Sequence, residues 1–224
     1  MTRSSAPAAP PPAPPYRPPG GPVRVLHRDA ALLFVEKPAG LLSVPGRDPE
    51  RADCLEARLR AEDPQVRTVH RLDGDTSGVM VFARTMAALR ALNLAFERRE
   101  VAKVYVARVG GRVAGARGEI DLPLRVDWPR RPLQRLDWDE GRPARTLWEV
   151  AGRGPGWTEL TLRPLTGRSH QLRLHLALLG HPILGDAFYG DAESAPLLML
   201  HARELGLRHP ETGAWMRVAS PAPW

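Results

Sequence analysis

The chain has 224 residues, of which 43% are hydrophobic and 25% are charged. These proportions are those of a globular protein, and they exclude a fibrous, a wholly disordered or a membrane-embedded chain. Basic residues number 32 against 25 acidic ones, and the formal net charge of +7 indicates a polyanionic partner. Cys54 is the single cysteine, which excludes an internal disulfide and a thiolate-rich metal site and suits a cytoplasmic protein.

The first part of the chain differs from the rest in composition. Residues 1–22 are rich in proline and alanine, and such a segment buries too little apolar surface to fold. We therefore expect a disordered tail over 1–22 and one folded domain over 23–224. The prolines also exclude the amphipathic helix of a transit peptide, and no continuous apolar run provides a secretory signal.

Short runs of alternating or β-branched residues predict strands along the folded region. They cover residues 32–36, 79–83, 101–109, 145–150 and 158–163, and the last strands are expected within 197–207 and 214–218. Helical patterns are interspersed among these runs without strict βαβ alternation. The pattern therefore predicts an α+β fold.

Three helices are predicted between the strands. Asp53 is expected to cap the first helix, with Glu56 completing a capping box. Thr85 is expected to cap the second helix, whose apolar residues recur at helical spacing. Ser169 is expected to cap the third, which ends at Gly180; its leucines also alternate as in a strand, but strong helix formers favour a helix.

The densest group of reactive side chains is the segment 70–78, HRLDGDTSG, which directly precedes a predicted strand. Its two carboxylates, histidine, arginine and hydroxyls could support nucleophilic or acid–base chemistry. A plain turn, in which Asp and Gly provide the backbone geometry, explains the same composition. A glycosidase that uses Asp73 and Asp75 stays formally open, although two residues so close in one turn rarely flank a substrate.

A second polar cluster, residues 166–173 (TGRSHQLR), lies at the predicted start of the third helix. Its guanidinium groups and the free N–H groups of a helix start suit an anion, and a solvated helix entry is the alternative interpretation. His170 and His175 do not form a metal-binding pair, because their spacing places them on different sides of a helix or strand. We expect no metal.

The common nucleotide-binding motifs do not occur in the chain. It has no Gly-rich dinucleotide fingerprint, no phosphate-loop lysine and no nucleophile-elbow serine. We therefore expect no nucleotide cofactor and neither a dehydrogenase, an NTPase nor an α/β-hydrolase.

Several segments together resemble the RluA family of pseudouridine synthases. The central motif is His70-Arg71-Leu72-Asp73 followed by Thr76-Ser77-Gly78. Further motifs follow the family's order along the chain: residues 37–41 (KPAGL), 103–107 (KVYVA), 166–173 (TGRSHQLR) and 181–186 (HPILGD). The resemblance covers the chain from residue 23 onward. It implies a pseudouridine synthase fold, with a mixed, mostly antiparallel sheet, flanking helices and a central RNA-binding cleft.

The same resemblance implies an isomerase that detaches uracil from C1′ of its ribose and reattaches it through C5, with no cofactor. It implies Asp73 as the catalytic carboxylate and Tyr105 as the aromatic residue that stacks on the flipped uracil. It also implies Arg168 as the arginine that pairs with Asp73 and orients it. Contacts to the RNA are expected from a further set of residues: His70, Arg71, Thr76, His170 and Arg173.

Residues 42–47 and 121–128 resemble the compact branch of this family, which acts on a tRNA anticodon stem-loop and on a 23S rRNA hairpin. Use of two targets implies recognition of a shared loop shape. Candidates for a second RNA-facing stretch are Arg130, Arg131 and Arg135, around Trp128 and Trp138. We expect a cytoplasmic monomer. Two alternatives stay open: a synthase for a different rRNA or tRNA site, and a non-catalytic RNA-binding or assembly protein.

Overall fold

The computed structural model describes residues 16–224, so residues 1–15 of the predicted tail lie outside the described part of the chain. The remainder of that tail contacts the domain. The Tyr16 hydroxyl donates a hydrogen bond to the carbonyl of Asp53 at 2.9 Å and accepts one from the N–H of Leu42 at 3.0 Å. The chain is therefore attached to the domain before residue 23, where folding was expected to begin.

Strands and three α-helices make up the described chain. The strands are β1 (Arg24–Arg28), β2 (Leu32–Lys37), β3 (Arg67–Thr68), β4 (Ser77–Ala83), β5 (Ala102–Gly110), β6 (Arg117–Asp121), β7 (Leu124–Val126), β8 (Gln134–Leu136), β9 (Arg145–Gly154), β10 (Trp157–Pro164), β11 (Leu200–Arg208) and β12 (Trp215–Ala219). The helices are α1 (Leu55–Glu62), α2 (Met86–Glu97) and α3 (Gln171–Leu178). Across residues 16–224, each helix is too short or too polar to cross a bilayer.

Ten strands form one sheet, in the order β1-β2-β4-β11-β5-β10-β9-β6, with β3 paired to β4 and β12 paired to β11. The pairs are antiparallel except for β4 with β11, which run parallel. β7 and β8 form a separate hairpin. The predicted α+β fold with a mixed, mostly antiparallel sheet is confirmed.

Strand β4 is buried along its whole length. Its side chains alternate, so Val79 and Val81 join the apolar cluster that α2 covers, and Met80 and Phe82 join the cluster that α1 covers. Helices thus pack on both faces of this strand. The turn that carries Asp73 leads directly into this buried strand. The packing of β4 therefore fixes where the turn lies.

Gly78 lets β4 approach β11 closely at the start of the strand. Its φ is 119°, and a Cβ atom there would lie 2.3 Å from the carbonyl oxygen of Ala202. Only glycine tolerates both the positive φ and this distance. The end of the Asp73 turn is therefore fixed against β11.

The structure confirms one predicted helix cap and corrects two. Thr85 Oγ1 accepts from the N–H of Ala88 at 3.1 Å, as expected. The first helix is capped by Cys54 and not by Asp53, because the Asp53 carboxylate is bound by Arg58 through two contacts of 2.7 Å.

The capping position of the third helix lies one residue later than predicted. His170 and not Ser169 precedes its first turn, and His170 has a left-handed backbone with a φ of 53°. This conformation turns the chain sharply, so that the helix enters with its first residues facing inward. Gln171, Leu172 and Arg173 are buried there.

Candidate active site

A cleft of about 1040 Å³ opens between the turn before β4, strand β5, the entry to α3 and the loop between β7 and β8. The eight predicted site residues all line this cleft. They are His70, Arg71, Asp73, Thr76, Tyr105, Arg168, His170 and Arg173. The fold therefore brings together residues that are far apart in the sequence.

The backbone on both sides of Asp73 is held by side chains from an earlier segment. Ser43 Oγ donates to the carbonyl of Leu72 at 2.7 Å and accepts from the Leu72 N–H at 3.1 Å. On the other side, Lys37 Nζ donates to the carbonyl of Gly74 at 2.7 Å. These bonds fix the direction in which the Asp73 side chain leaves the turn.

Lys37 is fully buried under this turn. Besides Gly74, its Nζ donates to the carbonyls of Pro38 at 2.9 Å and Leu41 at 2.6 Å, so three acceptors meet the three N–H bonds of an ammonium group. Burial lowers the pKa of Lys37 to about 7, against the opposing charges of Asp75 and Asp73. The sequence motif contained this lysine, but its anchoring role follows only from the three carbonyls.

The arginine that faces Asp73 is Arg173, and the predicted pairing with Arg168 is wrong. Arg173 Nη1 lies 3.8 Å from Asp73 Oδ2. The rest of its guanidinium is bound by Asp186, with Nε at 2.9 Å from Oδ2 and Nη2 at 2.6 Å from Oδ1. Arg173 is 2% exposed and Asp186 is fully buried, so the pair is shielded from water.

Asp186 is a site residue to which the sequence reasoning gave no role. Besides holding Arg173, its Oδ1 accepts from the N–H groups of Phe188 and Tyr189, at 2.8 and 3.2 Å. Burial alone would raise the pKa of Asp186, but the Arg173 guanidinium and these N–H groups lower it. The carboxylate is therefore ionised and holds Arg173 in place. Its place at the end of the HPILGD motif was the available signal.

Arg168 lies in the loop before α3, on the rim of the cleft. Its Nε donates to the carbonyl of Pro143 at 3.2 Å, and the structure gives it no ion pair with Asp73 or any other carboxylate of residues 16–224. Burial, followed by the charges of Arg142 and Arg99, lowers its pKa. An arginine among other cations at a cleft rim is suited to a phosphate contact.

Tyr105 and His70 form the wall of the cleft next to the Asp73 turn. Burial, and secondarily the charge of Asp73, raises the pKa of Tyr105, so its phenol stays neutral. His70 stacks on Phe96 with ring centroids 4.7 Å apart, and its Nε2 accepts from the N–H of Val81 at 3.1 Å. Burial lowers the pKa of His70 to about 3, so the ring is neutral. His70 thus fixes the wall.

Arg71 and Thr76 occupy different parts of the turn. The Arg71 side chain is exposed in the cleft, whereas Thr76 is 2% exposed and donates its N–H to the carbonyl of Asp73 at 3.1 Å. Arg71 is therefore free to reach a ligand. Thr76 closes the turn through its backbone.

His170 connects the α3 side of the cleft to the hairpin of β7 and β8. Its Nδ1 is 2.8 Å from the Tyr189 hydroxyl, which also accepts from the N–H of Gln134 at 2.8 Å. Burial raises the pKa of Tyr189 to about 12. The hairpin is thereby attached to the site wall.

The three arginines between the end of β7 and the end of β8 differ in their partners. Arg131 packs on the ring of Trp128 at 3.3 Å, and both residues line the cleft; Trp128 is 62% exposed. Arg130 and Arg135 are instead paired with aspartates, at 2.6 and 2.7 Å. Of these three arginines, only Arg131 lines the cleft.

The cleft carries no metal-ligand set. Throughout the described residues, no three His, Cys, Asp or Glu side chains converge as they would around a metal ion. The absence of a metal and of a cofactor stays a prediction.

Comparisons with known proteins bear on this arrangement. The family model for RNA pseudouridylate synthases matches residues 31–178. The chain is 49% identical over 202 residues to the dual-specificity RNA pseudouridine synthase RluA of Escherichia coli O6:H1, covering 88% of this chain and 92% of the relative. It is also 49% identical to the protein of the same name from Yersinia pestis, covering 88% and 98% of the two chains.

Two solved human structures share the fold. Human RNA pseudouridylate synthase domain containing 1 superimposes with a TM-score of 0.76 at 29% identity, over 92% of this chain and 87% of that one. Human RNA pseudouridylate synthase domain containing 4 gives a TM-score of 0.73 at 26% identity, over 89% and 88%.

Proposed function

The chain belongs to the RluA family of RNA pseudouridine synthases, and from that premise we propose that it modifies uridines in a tRNA anticodon stem-loop and in a 23S rRNA hairpin. The activity itself, isomerisation of uridine in RNA, comes with the family. Two targets are supported by the relatives, whose name describes dual specificity. We further propose that the protein acts as a monomer in the cytoplasm.

The observation that supports the site assignment is the placement of Asp73. Its carboxylate stands on an anchored turn in the cleft, with Arg173 Nη1 3.8 Å away and with Tyr105 of β5 lining the same cleft. In the reaction the N1–C1′ bond breaks, the uracil turns and a C5–C1′ bond forms, while C5 releases its proton and N1 gains one. Asp73 is the carboxylate placed to assist these steps, whether by attack on the base, attack on the sugar or proton abstraction.

The other residues position the nucleotide. A uridine must leave its stack to reach Asp73, and the neutral Tyr105 ring is suited to stack on the extruded base. Arg71, exposed beside the turn, fills the gap that the base leaves. Arg168 and Arg131, which line the cleft from the loop before α3 and the loop after β7, bind phosphates of the RNA.

The first prediction concerns Asp73 itself. Asp73→Asn keeps the size of the side chain but removes the charge, so we expect it to abolish tritium release from RNA that carries C5-tritiated uridine, with RNA binding retained. Asp75→Asn is the matched control, because Asp75 is an exposed carboxylate in the same turn. Undiminished turnover by Asp73→Asn would refute the assignment.

The choice of RNA is tested separately. Pseudouridines are mapped in tRNA and rRNA from a strain that lacks the gene. Loss at both the anticodon loop and the 23S hairpin supports the dual assignment, and loss at another site only supports a different target. A non-catalytic binding protein would leave all sites modified.

A further inference from the structure

A second groove, of about 530 Å³, lies along β5, β11 and β12. Lys103 and Pro164 line both this groove and the cleft, so the two adjoin. The lining of the groove is mainly cationic, with two carboxylates. Its charged residues are Arg99, Glu100, Lys103, Arg163, Arg203, Glu204 and Arg217.

Some of these cations are neutralised by the protein and others are not. Arg217 is paired with Glu204, and Arg163 lies 3.5 Å from Glu149. The other three cations form no ion pair with any residue of 16–224; they are Arg99, Lys103 and Arg203. Within the described part of the chain, the groove thus presents three cations without a protein counter-ion and one unpaired carboxylate, Glu100, which leaves a net positive charge for an anionic ligand.

All three cations line the groove, and two of them stand at irregularities of the backbone. Arg203 stands at a β-bulge of β11, where the register against β5 shifts between Ala202 and Glu204 and leaves Arg203 without a strand partner. Arg99 follows α2 in a left-handed conformation, with a φ of 61°. Burial and then the charge of Arg99 lower the pKa of Lys103, and both cations line the groove.

Trp215 adds an aromatic surface to the groove. It is 54% exposed, and its indole packs over Gly206, where a Cβ atom would lie 2.8 Å from the ring and 3.4 Å from the Cβ of Ala102. The glycine therefore lets the ring lie against the sheet. An exposed aromatic ring beside unpaired guanidinium groups is the combination that binds unpaired nucleotides, by stacking and by phosphate contacts.

We propose that this groove binds an unpaired stretch of the substrate RNA that continues from the loop held in the cleft. Arg99 and Arg203 contact its phosphates, and one base stacks on Trp215. The inference rests on the proposed function, because it takes the occupant of the cleft to be RNA. It adds a docking surface that acts through affinity and not through the chemistry at Asp73.

The test compares two RNAs in a filter-binding titration. One is a minimal stem-loop whose loop fills only the cleft, and the other has the same stem and carries roughly six additional unpaired nucleotides in the loop, on the 5′ or 3′ side of the target uridine. We expect the wild-type protein to bind one extended RNA about tenfold more tightly than the minimal one. Trp215→Ala should remove most of this gain, and Trp215→Phe should restore part of it.

Arg203→Ala tests the phosphate contact. It should weaken binding of the extended RNA and reduce its salt slope by about 0.7, the value for one contact to a single strand. Arg112→Ala is the matched control, because Arg112 is an exposed arginine that lines neither the cleft nor the groove. Arg112→Ala should leave the binding of both RNAs unchanged.

Failure of this inference is distinguishable from failure of the proposed function. Equal binding of the minimal and extended RNAs by the wild type overturns the groove assignment, as does an equal loss for both RNAs in Trp215→Ala and Arg203→Ala. Either of these results would be obtained if the groove binds a protein partner and not RNA. Failure of the proposed function appears elsewhere, as absence of tritium release by the wild type on either RNA.

Discussion

At Arg173 one guanidinium serves two carboxylates, and the geometry assigns them different tasks. Asp186 takes the bidentate side, with contacts of 2.6 and 2.9 Å, and so fixes the plane of the guanidinium. The remaining Nη1 faces Asp73 at 3.8 Å. We therefore propose that Asp186, which does not line the cleft, acts on Asp73 through Arg173 as a positioning residue.

Replacement of this arginine is the prediction that belongs to the single residue. Arg173→Lys keeps the charge but cannot bind Asp186 in a bidentate way while facing Asp73, so we expect kcat to fall roughly thirtyfold. Arg168→Lys is the matched control and should raise KM while leaving kcat nearly unchanged. Single-turnover tritium release separates the two effects. The reverse pattern would restore Arg168 as the partner of Asp73.

The sequence alone could not separate these two arginines. Both lie in the motif 166–173, and the sequence alone is compatible with either of them pairing with Asp73. The difference arises from His170, whose left-handed backbone leaves Arg168 in the rim loop and turns Arg173 into the first, buried turn of α3. A positive φ at a histidine is uncommon, and the composition of the segment does not predict it.

Among the elements, β4 and α2 are joined through one side chain of the segment 70–78, that of His70. His70 accepts from the β4 N–H of Val81 and stacks on Phe96 of α2. Its ring is neutral, because burial lowers its pKa to about 3 from an ordinary 6.5. Protonation would place a buried charge on the acceptor nitrogen and break this contact.

A dependence of stability on pH follows, with a defined sign. Between about pH 3 and pH 6.5 the unfolded chain binds more protons at His70 than the folded chain does. Stability therefore falls as the pH drops through this range. Going from about pH 7.5 to about pH 5 should cost about 2 kcal/mol through His70. His70→Gln should lose less over the same range in urea unfolding. An equal loss in both proteins would contradict the assignment.

Element boundaries could be predicted where the local pattern decides them. The buried strand at 79–83 and the Thr85 cap follow from apolar spacing and capping chemistry, and both are confirmed. The Asp53 cap failed because Arg58 competes for the same carboxylate. Order and register in the sheet were beyond reach, since they depend on pairs such as β4 with β11 that lie far apart in sequence.

At the scale of the whole molecule, the excess of positive charge is concentrated where the RNA is expected. Many of the cations line the cleft: Arg47, Arg51, Arg71, Lys103, Arg131, Arg168 and Arg173. Of these, Arg173 is neutralised by Asp186, so the others remain to attract phosphates. Charge of one sign along a concave surface also speeds association.

RNA affinity should therefore fall steeply with salt. We expect the slope of log Kobs against log salt concentration to be about −3 or steeper, since several phosphates are neutralised at once. Under saturating RNA, kcat should change little, because the chemistry is enclosed by Tyr105, Asp73 and Arg173. A flat binding response would remove the electrostatic argument for this surface.

The parallel pair of β4 and β11 has a consequence for the time at which the enzyme becomes active during its synthesis. Gly78 meets Ala202 across this pair, and the Asp73 turn leads directly into it. Arg173 and Asp186, which orient Asp73, are also made late. The ribosome must therefore make the chain as far as β11 before the Asp73 turn has its native support, so we expect activity only after most of the chain has been synthesised.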